Sequence, residues 1–343
     1  MDSCAPLKPQ AGARRCRFGG PLRGVRLACA ALLLALAGGA PAQQDYPNKP
    51  IRWIVPYVPG GATTILARMV GEKLTAAWGQ QIIVDNRGGG NTIPGSQAMV
   101  RATPDGYTLL LITSTHVINA LLIPKLPYDS VKDFAPVATL AGYEPVLFVH
   151  PLVPANTLQE FIALAKSKPD ELNYATAGSG SATHLAGEYF NILAGVKSRQ
   201  VPYKGTAPTM FALVAGEVQW LISAPVAFLP MVKAGKLKAL AAGGSTRLAT
   251  LPHVPTFAEG GLPAYDLKGW YGVLAPAGTP RPIIDKLSAE IGRILRLPDI
   301  REKFLTQEME PFISNADQFA ALIKSELVKF GTIIKTANIK WGN

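Results

Sequence analysis

Glycines and small hydrogen-bonding residues recur at four places where a strand-like run gives way to a helix-like one. They are Pro59-Gly60-Gly61-Ala62-Thr63-Thr64, Thr113-Ser114-Thr115-His116, Ala177-Gly178-Ser179-Gly180-Ser181-Ala182-Thr183-His184 and Val201-Pro202-Tyr203-Lys204-Gly205. The chemistry available there is anion capture. The first N–H groups of a helix have no partner within it and sit at the positive end of its dipole, and in open α/β sheets ligands bind at these carboxyl ends of strands. Lys204 would add a full positive charge just before a helix, which favours a carboxylate ligand. Each residue has a plainer role as well: the threonines and serines can cap helices or close turns, and Lys204 can be an exposed loop lysine.

Other chemistry fits less well. The cluster from Ala177 to His184 lacks the third glycine and following acid of a dinucleotide fingerprint and the Gly-Lys-Ser/Thr end of a P-loop. Neither Ser179 nor Ser181 has the flanking glycines of a nucleophile elbow, so a serine hydrolase would depend on His184 pairing with one of them. His184 and Glu188 lie four apart as a possible metal pair, but no spacing nominates a third ligand, and capping and surface roles are expected instead. Cys4, Cys16 and Cys29 all fall in the first thirty residues, which leaves the rest of the chain without disulfide, thiolate metal site or cysteine nucleophile. No cofactor and no metal are expected.

The 343 residues, 48% hydrophobic and 17% charged, allow two domains with a substantial core. Arg14, Arg15, Arg17, Arg23 and Arg26 precede a short apolar run, Leu27 to Ala37, and Ala40-Pro41-Ala42 supplies small residues for cleavage, the pattern of a signal peptide over residues 1–42. That segment holds six of the 34 Lys and Arg and one of the 23 Asp and Glu, so its removal lowers the formal charge from +11 to +6. The remaining basic residues are scattered and not interleaved with aromatics, which argues against nucleic acid as a partner.

These junctions need a scaffold of alternating elements. Strands are expected at Ile51 to Val58, Gln81 to Val84 and Tyr107 to Thr113, with a helix from Thr63 to Trp78 whose apolar residues keep helical spacing. A second set follows: strands at Val146 to Val149, Leu172 to Thr176, Gln200 to Tyr203, Val218 to Ile222 and Leu237 to Ala242. Helices at Thr157 to Ser167, Ser181 to Leu193, Thr206 to Val214 and Phe228 to Lys233 alternate with them. Leu251 to Pro263, rich in Pro and Gly, reads as a linker; a strand at Gly269 to Ala275 and helices Pro280 to Leu297 and Asp317 to Ala337 close the chain. Such alternation predicts an α/β fold.

Taken together, several short stretches resemble the extracytoplasmic solute receptors of tripartite tricarboxylate transporters, the Bug proteins. They include Tyr46-Pro47-Asn48-Lys49-Pro50-Ile51-Arg52, Val55-Pro56-Tyr57-Val58-Pro59-Gly60-Gly61, Pro104-Asp105-Gly106-Tyr107, His184-Leu185-Ala186-Gly187-Glu188, Val201-Pro202-Tyr203-Lys204-Gly205 and Leu274-Ala275-Pro276-Ala277-Gly278-Thr279-Pro280. The resemblance implies a periplasmic binding protein of type II-like fold, with two α/β lobes, two crossovers and a ligand cleft between them. Residues 43–145 and 266–343 would form lobe 1, and residues 146–265 lobe 2. The expected function is capture of a di- or tricarboxylate or an aromatic acid by a periplasmic monomer that delivers it to the membrane components of the transporter. A ligand-presenting sensor is the alternative within the same chemistry.

The resemblance also assigns the four junctions to ligand binding: Gly60, Gly61, Ala62, Thr63, Thr64, Ser114, Thr115 and His116 from lobe 1, and Gly178, Ser179, Gly180, Ser181, Thr183, His184, Tyr203, Lys204 and Gly205 from lobe 2. Many relatives carry aspartate where this chain has Thr64 and Ser223. A buried carboxylate suits a ligand ammonium and opposes a ligand carboxylate, so their replacement argues against an amino acid as ligand. Trp220, near Ser223, is expected in the core.

Overall fold

The computed structural model describes residues 46–336 and 338–340. The expected signal peptide and the three cysteines lie outside them. The described chain begins with strand β1 (Ile51–Val55), helix α1 (Ala62–Trp78), β2 (Ile82–Asn86), α2 (Ile93–Val100), β3 (Thr108–Thr113), α3 (Thr115–Leu122) and β4 (Phe134–Tyr143). It continues through β5 (Val146–Val149), α4 (Leu158–Ser167), β6 (Asn173–Thr176), α5 (Ala182–Ala194), β7 (Arg199–Pro202), α6 (Thr206–Ala215), β8 (Trp220–Ser223), α7 (Leu229–Lys233) and β9 (Lys238–Ala242). The last elements are β10 (Gly269–Pro276), α8 (Arg281–Leu295), α9 (Pro298–Thr306), β11 (Glu310–Pro311) and α10 (Ala316–Thr336).

These strands form two mixed sheets, ordered β11-β4-β10-β3-β1-β2 and β7-β6-β8-β5-β9. In the first, β1 runs parallel to β2 and β3, while β10 inserts antiparallel between β3 and β4. Strand β3 (TLLLIT) is apolar on both faces because helices cover both sides of the sheet. In the second sheet β6 runs parallel to β7 and β8, and β5 runs antiparallel to β8 and β9.

The chain passes from the first sheet to the second between Tyr143 and Val146 and returns between Ala242 and Gly269. The two passages touch: the Gly243 N–H donates to the Pro145 carbonyl at 2.7 Å, and Lys268 pairs with Glu144 at 2.9 Å. A Cβ on Gly243 would stand 2.8 Å from Pro145 Cδ, so only glycine allows this approach.

One expectation is corrected, and one strand is added to those expected. Leu251 to Pro263 is no free linker, for Leu251, Val254 and Phe257 are buried and Thr256 bridges to Ala242 at the edge of the second sheet. Its prolines and glycines mark turns, and the apolar residues between them pack. The longest strand, β4, does not stand out in sequence because PVATLAG is built largely of small residues with weak strand preference. It is held by β10 on one side and β11 on the other.

Candidate functional site

The first residues of four helices, Ala62 of α1, Thr115 of α3, Ala182 of α5 and Thr206 of α6, line one small chamber between the two sheets, about 50 Å³ in volume. Two helices come from each side. Thr63, Thr113, Ala177, Ser181, Thr183, Ser223 and Ala224 complete its polar wall, and Tyr57, Tyr143 and Tyr271 its aromatic one. No side chain in this lining is charged. An outer cleft of about 400 Å³ shares Tyr57, Ala177 and Ser181 with the chamber and is lined further by Gly89 to Ile93, Gly178, Ser179 and Pro202 to Gly205.

Local sequence explains why three of these helices have no side-chain bond from the N-cap residue, although Thr113 Oγ1 accepts from the Thr115 N–H of α3 at 3.2 Å. Gly61, Ser114 and Gly205 stand at the N-caps of α1, α3 and α6, and none supplies a side-chain cap. Gly205 has φ +116°, a conformation that favours glycine, and a Cβ there would approach Val58 Cγ2 to 3.2 Å. Helix α5 differs, because Ser181 Oγ accepts from the His184 N–H at 3.3 Å. The two sides meet directly: the Ala182 N–H donates to Thr115 Oγ1 at 3.1 Å, and a Cβ on Gly61 would lie 3.5 Å from Thr206 Cβ.

The predicted residues divide into four groups. Ala62, Thr63, Thr115, Ser181, Thr183 and Ser223 line the inner chamber, and Gly178, Ser179, Tyr203, Lys204 and Gly205 the outer cleft, with Ser181 common to both. Gly60 and Gly61 form the turn that faces Ala207 and Thr206 of α6. Thr64, Ser114, His116, Gly180 and His184 line neither cavity.

Physical reasons are visible for most of that last group. Thr64 is buried, and its hydroxyl accepts from Asn86 Nδ2 at 2.8 Å. His116 Nε2 pairs with the Ser130 carbonyl at 2.9 Å, and its ring packs against Tyr128 and Phe134. Burial drives the His116 imidazole down to about 4. His184 is buried, not a surface residue; its Nδ1 accepts the Gly180 N–H at 3.0 Å, and desolvation lowers it to about 4 as well. Ser181 Oγ is engaged with Thr183 Oγ1 and the His184 N–H, not with the imidazole. Glu188 is taken by the Tyr174 hydroxyl. Trp220 is fully buried against Tyr174, in the core as expected.

Sequence reasoning missed Tyr57, Thr113 as a wall residue, Tyr143, Thr206 and Tyr271, and also Asn91 in the outer cleft. Thr206 was recoverable as the residue after a glycine N-cap. Nothing local marks Tyr143 or Tyr271, which reach the chamber only through strand pairing. Burial raises the hydroxyl pKa of Tyr57, Tyr143 and Tyr271; neighbouring phenols raise Tyr143 and Tyr271 further, hydrogen bonds to Thr113 and Thr115 only partly offset the rise at Tyr57, and all three remain protonated donors.

Two α/β domains joined by two passages of chain, with helix N-termini from both converging on the space between, define the two-domain solute-binding proteins. The family model for the tripartite tricarboxylate transporter family receptor matches residues 66–339, and the chain belongs to that family. Protein BugT of Bordetella pertussis is 34% identical over 318 residues, covering 92% of this chain and 98% of its own length. The periplasmic binding protein BugD is similar in structure at 29% identity and TM-score 0.82, with 86% of this chain and 99% of that one covered. Rhodopseudomonas palustris Rpa4515, solved with adipate, has 32% identity and TM-score 0.84, with coverage of 86% and 99%. MatC from the same organism, with bound malate, has 32% identity and TM-score 0.79, with coverage of 84% and 100%.

Proposed function

We propose that this protein is a periplasmic receptor that closes its two domains on a small carboxylate and presents the closed form to the membrane components of a tripartite transporter. The observation that carries this reading is the convergence of four helix N-termini on one chamber with no charged side chain in its wall. At three of the four the N-cap residue supplies no side-chain bond; Thr113 Oγ1 takes the Thr115 N–H of α3, and the positive dipole ends and the remaining leading N–H groups are left for an anion. The membership of the family and the adipate and malate held by two similar proteins support the same class of ligand.

Absence of a buried acid narrows the ligand. Ser223 lines the chamber as a neutral hydroxyl, and Thr64, behind the wall, is bonded to Asn86. With no carboxylate to meet an ammonium, an amino acid would bury its positive charge unpaired, so the ligand class is a di- or tricarboxylate or an aromatic acid. Lys204, at the rim of the outer cleft, attracts the anion inward.

In this reading residues 1–42 are a cleaved signal peptide, 43–145 with 266–343 form one lobe, and 146–265 the other. The division is supported by sheet membership: strands within 51–143 and 269–311 share one sheet, and those within 146–242 the other. The chain binds and releases without catalysis; the self-contained bonding of Ser181 and His184 is what one expects of a wall and not of a nucleophile pair. It acts as a monomer, since one chain supplies both walls.

Thermal unfolding against dicarboxylates, tricarboxylates, aromatic acids and acidic amino acids tests the proposal. A ligand at about 100 times its Kd stabilises by roughly 2.7 kcal/mol, so one carboxylate class should raise Tm by several degrees. Tight binding of an acidic amino acid, or no change in Tm with any carboxylate, would sink it.

A further inference from the structure

We infer that Tyr143 and Tyr271 form a donor pair for a second carboxylate of the ligand, and that this pair makes the receptor prefer diacids over monoacids. The inference rests on the carboxylate reading above and extends it from the class of ligand to the number of its acid groups.

Strand register places the two rings together. Tyr271 lies opposite Thr113 of β3 on one side and Ala141 of β4 on the other, and Gly269 lies opposite Tyr143. Residues directly opposite in a sheet project from the same face. Tyr143 therefore lies across Gly269 toward Tyr271, with ring centroids 5.1 Å apart. This arrangement needs glycine at 269, where a Cβ would stand 1.9 Å from Tyr143 Cζ.

The hydroxyls distinguish this pair from the other tyrosines near the chamber. Tyr57 bonds Thr113 Oγ1 at 2.8 Å, Tyr203 faces Glu217 at 3.3 Å, and Tyr265 donates to the Ala186 carbonyl at 3.3 Å. Among the described residues, neither the Tyr143 nor the Tyr271 hydroxyl has a hydrogen-bond partner, although Tyr271 is only 3% exposed. Both side chains line the chamber, so a hydroxyl without a protein partner there is open to water or to a ligand. A neutral phenol can only donate to a carboxylate, and two such donors side by side match its two oxygens.

Position completes the argument. The first residues of α1 and α3 line the same chamber as the pair, in which Tyr271 lies opposite Thr113 and Tyr143 ends β4, immediately before the passage at Glu144-Pro145. On this inference one carboxylate is held at the helix N-termini and the other by the tyrosine pair. A monoacid satisfies only the first.

The test is calorimetric titration of the protein, expressed from the full-length sequence, with matched pairs of acids: butyrate and succinate, hexanoate and adipate, benzoate and terephthalate. Within the pair of best fit the diacid should bind more tightly, and Tyr143→Phe or Tyr271→Phe should weaken it by about ten- to a hundredfold, as expected for a hydrogen bond to a charged group, while leaving the monoacid unchanged. Phe keeps the ring, and thermal unfolding of each variant checks that the sheet is intact. With tyrosine labelled at the ring carbon that bears the hydroxyl, diacid binding should move the resonances of Tyr143 and Tyr271, which a purely structural role would not do. Equal affinity for both members of every pair, or Phe variants that keep the diacid preference or weaken both acids alike, overturns the inference and leaves the carboxylate reading standing. Binding of no acid at all overturns both.

Discussion

The Ala177–His184 run on one side of the chamber and the pair Tyr143 and Tyr271 on the other handle their polar groups in opposite ways. On the second-domain side the run from Ala177 to His184, the densest polar cluster of the sequence, largely satisfies itself: Thr183 Oγ1 accepts from the Ala177 N–H at 2.8 Å and meets Ser181 Oγ at 2.9 Å, and His184 takes the Gly180 N–H. On the first-domain side the N-cap residues of both helices supply no side-chain bond, although Thr113 Oγ1 accepts from the Thr115 N–H at 3.2 Å, and among the described residues the Tyr143 and Tyr271 hydroxyls have no protein partner. A density of hydrogen-bonding residues therefore marks a rigid wall as readily as a receptive one. What identifies the receptive wall is the shortage of partners.

The sharpest way to break this contrast is Gly269→Ala. The new methyl would overlap Tyr143, and overpacking of this kind costs about 2–3 kcal/mol, so we expect a clear drop in Tm together with loss of carboxylate binding. Gly235→Ala, where a Cβ meets nothing within 4 Å but φ is +69°, is the control for backbone strain without a clash. A Gly269→Ala protein that binds as well as the parent would mean that the ring of Tyr143 is not fixed by this contact.

The two buried imidazoles supply a pH effect. Folding lowers His116 and His184 from an ordinary value near 6.5 to about 4. The unfolded chain then binds more protons between these values, so stability is complete above pH 6.5 and declines as pH falls toward 4. Each pH step over which the imidazole is charged in the unfolded chain and neutral in the folded one costs roughly 1.4 kcal/mol, so the loss at pH 5 is about 2 kcal/mol per histidine. Chemical denaturation between pH 7 and 5 checks this, and a stability that is flat over the interval would refute the buried neutral state of both rings.

Thr183→Val removes the acceptor of the Ala177 N–H. It should cost about 1–2 kcal/mol of stability while leaving the ratio of diacid to monoacid affinity as it was. A change in that ratio would put the second-domain wall among the selective elements and erase the contrast. The smallest effect is expected of Lys204→Ala at the outer rim: a few-fold slower association, largest at low salt and vanishing near 1 M, measured by stopped-flow fluorescence.

Much of the scaffold was legible because its signals are local. The apolar run at β1, the helical spacing of α1 and the glycine and serine N-caps put most elements within a few residues of their places. Thr115, Thr63, Ser181, Thr183 and Ser223 were nominated from the strand-to-helix junctions and the resemblance, and do line the chamber. His116, His184 and Thr64 were nominated by the same logic and turned inward to Ser130, Gly180 and Asn86, because a side chain one step along a helix faces a different neighbour. Strand β4 and the helices α2 and α9 were missed, β4 for its small residues and α9 because Pro298 restarts a helix directly after α8 ends.

The sequence by itself determined where helices begin, and with that the supply of free N–H groups, since a glycine or serine before a helical run acts within a few residues. It also determined that no acid stands at position 64 or 223. Only the tertiary structure decided that Tyr57, Tyr143 and Tyr271 share one wall, because β10 enters between β3 and β4 from the far end of the chain and its register sets Tyr271 between Thr113 and Ala141. Hydrogen bonding between strands distant in sequence fixes such neighbours, and no local pattern encodes it.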